Sequence, residues 1–172
     1  IVIGEDFYKN LPQELKRRCV RVAGMALSSG KRGTLDEPTL TRIAADRAYE
    51  MAGVGPEDID FVELHDAAAS REIIQTEMLR LCPEGQGGIL AESGETQIDG
   101  KIPVNPSGGL ISRGHPIGAT GLYMVNELVT QIRGEAGERQ VKNAEIGLAE
   151  NGGGVLGFEE AECSVVIFQK AE

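Results

Sequence analysis

The sequence predicts an α/β domain of four to five strands with helices on both faces. Three observations carry this. Strand-like and helix-like segments alternate along the chain, and the helical ones keep apolar residues at three- and four-residue spacing. The 172 residues suffice for one domain with a real core and are too few for two ordinary ones.

Residues 19–27 alternate and then run apolar, as a strand entering a buried sheet does, and a polar turn follows at 28–33. Beyond Glu37-Pro38, the positions Leu40, Ile43, Ala44, Ala48 and Met51 keep helical spacing until Gly53 and Gly55-Pro56 end it. Residues 59–64 read as a second strand ending in His65-Asp66, so strand, helix and strand imply a right-handed parallel βαβ unit. The next helix, over 67–81, sets Ile73, Ile74, Met78 and Leu81 on one stripe. A loop of about 20 residues, rich in glycine and carboxylates, spans 82–101. A helix opened by Pro116 carries Ile117, Gly121, Met124, Val125, Leu128 and Ile132. A surface turn at 134–143, a strand at 144–149, a loop at 150–154 and a closing strand at 163–168 complete the chain.

Composition excludes several function classes. With 27 carboxylates against 17 basic residues and a net charge of -10, the chain is a poor non-specific ligand for nucleic acid or an anionic membrane. No apolar run approaches the roughly 20 residues of a membrane span, and residues 1–6 lack the regions of a secretory signal. A soluble, cytoplasmic protein is expected. Cys19, Cys82 and Cys163 are odd in number and widely spaced, as reduced thiols are. His65, His115 and Asp66 lack the paired spacing of zinc ligands, so no metal site is expected.

Chemistry concentrates in three places: His65-Asp66, the run from Asn105 to His115, and Glu150-Asn151-Gly152-Gly153-Gly154. Neighbouring strands would bring these ends into one pocket. His115 lies between a glycine-dense loop and Pro116, at the positive end of the following helix dipole, where a neutral imidazole can serve as a base. The same placement fits a histidine that merely caps the helix. Asn151-Gly152-Gly153 offers backbone N–H groups free of side-chain obstruction for a developing oxyanion, or simply a turn between strands. No nucleophile is evident. Ser107 and Ser112 lack the nucleophile elbow, Cys19 and Cys163 read as core thiols, and Cys82 lies in a loop.

The run Asn105-Pro106-Ser107-Gly108-Gly109-Leu110-Ile111-Ser112-Arg113-Gly114-His115-Pro116-Ile117-Gly118-Ala119-Thr120-Gly121 resembles the Gly-His-Pro region of thiolases, in the branch of the sterol-carrier-protein-type enzymes and their archaeal and bacterial relatives. Val62-Glu63-Leu64-His65-Asp66, Leu81-Cys82-Pro83-Glu84-Gly85-Gln86-Gly87 and Arg133-Gly134-Glu135-Ala136-Gly137-Glu138-Arg139-Gln140-Val141 follow the same family's order. The resemblance implies that 1–172 is the carboxyl-terminal half of a thiolase fold, with 1–18 as a linker or loop-domain remnant. Each half of that fold is a five-stranded mixed sheet with helices on both faces, and dimers are common. The amino-terminal half, with the nucleophilic cysteine and much of the coenzyme A site, is absent from these residues, so an excised domain or one part of a split enzyme is expected.

By the same resemblance, His115 lowers the pKa of the absent cysteine and holds the thioester oxygen, while His65 orients a water or polar group in a second oxyanion hole. Asn151 belongs to the last catalytic loop. Ser107, Gly108, Gly114, Gly152 and Gly153 are the expected contacts of a coenzyme A thioester, which is substrate rather than resident cofactor. Two departures matter. Ala67-Ala68 stands where sterol-carrier-type enzymes read Cys-Phe, and Glu150-Asn151-Gly152 stands where other thiolases place a second cysteine. Glu150 is then a candidate base, or a solvated loop carboxylate. The implied function is acyl-CoA C-acyl transfer forming or cleaving a 3-ketoacyl-CoA. The alternatives are a retro-aldol lyase of β-hydroxyacyl-CoA, often with a small zinc and OB-fold partner protein, or a non-catalytic acyl-CoA-binding or scaffold subunit.

Overall fold

Four strands form a single mixed sheet in the order β1-β4-β3-β2. The computed structural model describes residues 1–30, 34, 37–157 and 160–171. Two short helices, α1 (Glu5–Lys9) and α2 (Gln13–Lys16), lead into β1 (Val20–Ser29), and α3 (Leu40–Ala52) and β2 (Phe61–Glu63) follow. The helices α4 (Ala69–Met78), α5 (Gly87–Glu92), α6 (Gly109–Arg113) and α7 (Thr120–Ile132) precede the hairpin of β3 (Ile146–Gly153) and β4 (Glu162–Lys170). Of the turn expected at 28–33, positions 31–33 lie outside the described residues.

The sheet is four-stranded where five strands were expected. The fifth position is held by the segment at 102–105, reduced to one parallel bridge between Val104 and Val62. Val62 N–H donates to the Pro103 carbonyl at 2.9 Å and Asn105 N–H donates to the Val62 carbonyl at 2.7 Å. Pro103 has no N–H to extend the ladder, and Asn105, at φ 51°, turns the chain out of the sheet.

Strand direction agrees with the parallel strand, helix and strand unit expected, but its two strands are not neighbours. β1 is antiparallel to β4, β4 is antiparallel to β3, and β3 is parallel to β2. β1 and β2 therefore point the same way but lie at opposite sides of the sheet, and the α3 connection crosses two strands.

α3 covers one face, setting Leu40, Ala44 and Ala48 in a core with Val62, Leu148 and Ile167. α7 covers the other, where Met124, Leu128 and Ile132 pack with Phe61, Ala149 and Phe168. The ends of α3 obey local rules: Thr39 accepts a bond from Arg42 N–H at 3.1 Å, and Gly53 adopts φ 71° as the left-handed cap.

Several patterns are revised. Met51 is exposed, and on α4 it is Gln75 and Thr76 that are buried, with Ile73 and Ile74 exposed. The 82–101 loop contains α5, and α7 starts at Thr120, after the left-handed Gly118, so Ile117 stays outside it and exposed. β3 continues through Gly153, so Glu150 is a strand residue. Among the described residues no helix is long and apolar enough to cross a membrane.

Candidate active site

The parallel pairing of β2 with β3 ends at Glu63 opposite Ala149, and the next residues of both segments meet beyond it. His65 N–H donates to Glu150 Oε2 at 2.9 Å, and His65 Nδ1 lies 3.1 Å from Asn151 Oδ1. An amide oxygen only accepts, so Nδ1 carries the hydrogen and Nε2 keeps a lone pair. Burial holds the His65 imidazole below its ordinary pKa, the Asn151 bond opposes this, and the His115 and Arg71 charges push the same way as burial.

His115 arrives on the loop between α6 and α7. Its Nδ1 lies 2.7 Å from Thr120 Oγ1, whose hydroxyl donates to the Pro116 carbonyl at 3.3 Å. The Thr120 hydroxyl thus engages His115 Nδ1, and Nε2 is again the nitrogen left to the cleft. The two rings meet edge to face, with centroids 4.9 Å apart.

The end of β2 also fastens the loop that delivers His115. Leu64 N–H donates to Asn105 Oδ1 at 2.8 Å. Glu63, fully buried, accepts from Ser107 N–H at 3.0 Å and from the Ser107 hydroxyl at 2.7 Å. Asp66 accepts from Leu110 N–H at 2.6 Å and from Ile111 N–H at 3.4 Å. Gly109 sits at φ 63° against this carboxylate, and a Cβ there would run into Asp66 Oδ2. The stretch Glu63-Leu64-His65-Asp66 thus supplies one imidazole and anchors the segment bearing the other.

Both histidines and Asn151 line a cleft of about 790 Å³, with Gly152 and Ala67 beside them. Gly121 faces Asn151, and a Cβ there would meet its Nδ2 at 3.7 Å, an ordinary contact. Glu160 forms an ion pair with Arg71, accepts from Gln75 Nε2 at 3.0 Å, and packs against the α-carbon of Gly152. That cluster braces the strand end on which Asn151 sits.

Not every expected site residue joins the cleft. Gly152 and Gly153 line it, whereas Ser107, Gly108 and Gly114 do not, and the Ser107 hydroxyl is bound to Glu63. Glu150, expected as a base beside the oxyanion loop or as a solvated loop carboxylate, is fully buried on the opposite face of β3 from Asn151. It holds the His65 backbone and accepts from the Cys163 thiol at 3.4 Å, and burial pushes its carboxyl up. Cys163 packs in the α3 core, and burial pushes its thiol up as well.

No cysteine lines the cleft among the described residues, and Ala67 and Ala68 are part of its lining. Among the described residues no group of three or more His, Cys, Asp or Glu side chains is arranged to hold a metal. Sequence reasoning missed Glu63 and Glu160, and placed Asp66 at the site without its role of holding α6. The signal for Glu63 was present, as a carboxylate inside the otherwise apolar run Phe61-Val62-Glu63-Leu64.

A mixed α/β sheet is the fold class the Gly-His-Pro resemblance implied, and here it gathers two imidazoles and a glycine-rich strand end into one cleft. The chain belongs to the thiolase family, its residues 23–169 matching the domain described as thiolase C-terminal domain-like. It is 48% identical over 173 residues to sterol carrier protein 2 of Homo sapiens, an alignment covering 95% of this chain and 29% of that protein. It is 49% identical over 143 residues to an acetyl-CoA acetyltransferase of Methanothermobacter thermautotrophicus, covering 80% of this chain and 37% of that protein. The chain thus spans about a third of these relatives' length. A solved structure of an Ltp2-ChsH2(DUF35) aldolase shares the fold, with a TM-score of 0.75 at 22% identity over 89% of this chain and 40% of that one.

Proposed function

We propose that this chain is the half of an acyl-CoA C-acyltransferase that supplies the imidazoles and part of the oxyanion site for forming or cleaving a 3-ketoacyl-CoA. The observation that carries the reading is the pair of histidines whose Nδ1 atoms are both engaged within the protein, leaving both Nε2 atoms to one cleft beside Asn151. In this reading the nucleophilic cysteine comes from an amino-terminal thiolase half. His115 Nε2 takes the thiol proton, the thiolate attacks the thioester or keto carbonyl, and the developing oxyanion is met by the Nε2–H that His115 then carries and by the strand end at Asn151–Gly153, while His65 Nε2, an acceptor, orients a water. The second proton transfer falls to an imidazole, because the cleft has alanine where a thiol was expected. Glu150 is not that base, since its carboxyl faces the α3 side.

The amino-terminal half has a surface to cover. Met25 and Leu27 of β1, at 57% and 62% exposure, lie on the α7 side of the sheet, and Leu122 and Tyr123 of α7 are exposed as well. A homodimer of the intact protein and a coenzyme A thioester as substrate, with no resident cofactor, belong to the same proposal.

A second reading, retro-aldol cleavage of a β-hydroxyacyl-CoA with an OB-fold partner, is favoured by one observation: Ala67 and Ala68 leave the cleft without an acid/base thiol. The intact protein, incubated with acetoacetyl-CoA and free coenzyme A, separates the two. Acetyl-CoA formation is expected. Cleavage of a β-hydroxyacyl-CoA without thiolysis would assign the second reading.

A further inference from the structure

The mechanism proposed above uses His65, His115 and Asn151 and leaves Glu63 without a chemical task, although a fully buried carboxylate is costly to keep. Its contacts are specific. One carboxylate oxygen accepts the Ser107 N–H at 3.0 Å and the other accepts the Ser107 hydroxyl at 2.7 Å. The same Ser107 oxygen accepts from Gly109 N–H at 3.2 Å and from Arg113 Nε at 3.1 Å. The Arg113 guanidinium lies 3.6 Å from Glu63 Oε2 and stands over the Tyr123 ring, and its Nη1 and Nη2 have no hydrogen-bond acceptor among the described residues. Glu63 is therefore the counter-charge of a largely buried arginine.

These contacts bracket α6. Ser107 precedes the helix, Arg113 is its last residue, and His115 follows two residues later. Asp66 holds the N–H groups of the first turn and has no contact with Arg113 at the other end. We propose that Glu63 is a positioning residue that clamps α6 at both ends through Ser107 and Arg113, and so fixes where His115 presents Nε2 to the cleft. The inference rests on the catalytic reading of His115, and its geometry is separate from the cleft itself: neither Glu63 nor Ser107 lines it.

The test uses the intact protein with Glu63→Gln, Ser107→Ala and the double variant. Glu63→Gln removes the counter-charge of Arg113, and Ser107→Ala breaks the bridge without stranding a charge, so the second variant decides if the first does not fold. The expected result is a fall in kcat for acetoacetyl-CoA thiolysis of about tenfold or more with KM changed less than about twofold. The double variant is expected to be no worse than Glu63→Gln, because both act on one clamp. In protein carrying 13C-labelled histidine, the His115 ring signal, assigned with His115→Asn, moves or broadens in Ser107→Ala while that of His65 stays in place. Wild-type kcat in Ser107→Ala, or a lower kcat with an unmoved His115 signal, overturns the clamp. A wild-type protein with no thiolysis overturns the proposed function instead, and the clamp is then judged on the His115 signal alone.

Discussion

The imidazoles of His65 and His115 stand edge to face, their ring planes 76° apart and their centroids 4.9 Å apart. They reach this contact on separate segments, one continuing β2 and the other leaving α6. Each ring is fixed by its own Nδ1 partner, Asn151 for His65 and Thr120 for His115. A charge on His115 therefore disfavours a proton on His65.

That relationship sets a pH dependence. Burial first, and the His115 charge with it, hold His65 below its ordinary value of 6.5. As pH falls below about 6.5 the unfolded chain gains a proton that the folded chain resists, so folding stability falls with it. Urea midpoints at about pH 7.5 and about pH 5.5 should show this as a difference between proteins, with His65→Asn keeping more of its stability at the lower pH than the wild type does. Equal losses in both proteins would remove His65 as the cause.

Glu63 acts with the opposite sign. Burial pushes its carboxyl up to about 7 from 4.5, against the pull of Ser107 and Arg113. The folded state then holds a proton that the unfolded state has released, so this contribution is present below pH 4.5 and is lost as pH rises through about 7. The loss is about 3 kcal/mol. Glu63→Gln should flatten the fall of the urea midpoint across that window, and an unchanged slope would contradict the assignment.

Glu150 separates positioning from base chemistry. Glu150→Gln keeps an oxygen to accept from His65 N–H, and thiolysis by the intact protein should stay within about threefold of wild type. Glu150→Ala leaves that N–H without a partner and should cost about 1–3 kcal/mol of stability along with activity. A loss of about a hundredfold in the glutamine variant, with folding intact, would restore Glu150 as a base.

The Asp66–Gly109 contact should be intolerant of change. Gly109→Ala places a Cβ against Asp66 at a backbone conformation that favours glycine, and should destabilise by about 1–3 kcal/mol. Asp66→Asn removes the charge from the bonds to Leu110 and Ile111 and should lower stability by a comparable amount. Thermal denaturation of both variants checks this, and an unchanged Tm in Gly109→Ala would show that the loop is not held as described.

Local signals carried much of this fold into the sequence. Thr39 and Gly53 bound α3 because capping is a local rule, and the apolar spacing of Met124, Leu128 and Ile132 marks the buried face of α7. The meeting of His65, His115 and Asn151 was legible only as a condition on strand neighbours, because which strands pair is decided by packing across the whole sheet. Glu150 was misplaced for a related reason: glycines at 152–154 look like a loop, yet pairing with β4 extends β3 through Gly153, and strand alternation turns Glu150 away from the cleft. α4 misled because the polar cluster of Arg71, Gln75 and Glu160 turns its polar side inward and leaves Ile73 and Ile74 outside. The missing fifth strand comes down to Pro103 and Asn105, whose effect on a ladder depends on the partner they meet.

The most direct measurement is thiolysis of acetoacetyl-CoA by the intact protein and by its His115→Asn variant, followed as coenzyme A-dependent loss of the 3-keto thioester. The wild-type protein should form acetyl-CoA, and the variant, folded as judged by its urea midpoint, should lose about 10²–10⁴-fold in kcat. Undiminished turnover in His115→Asn would contradict the central claim that this imidazole does the chemistry.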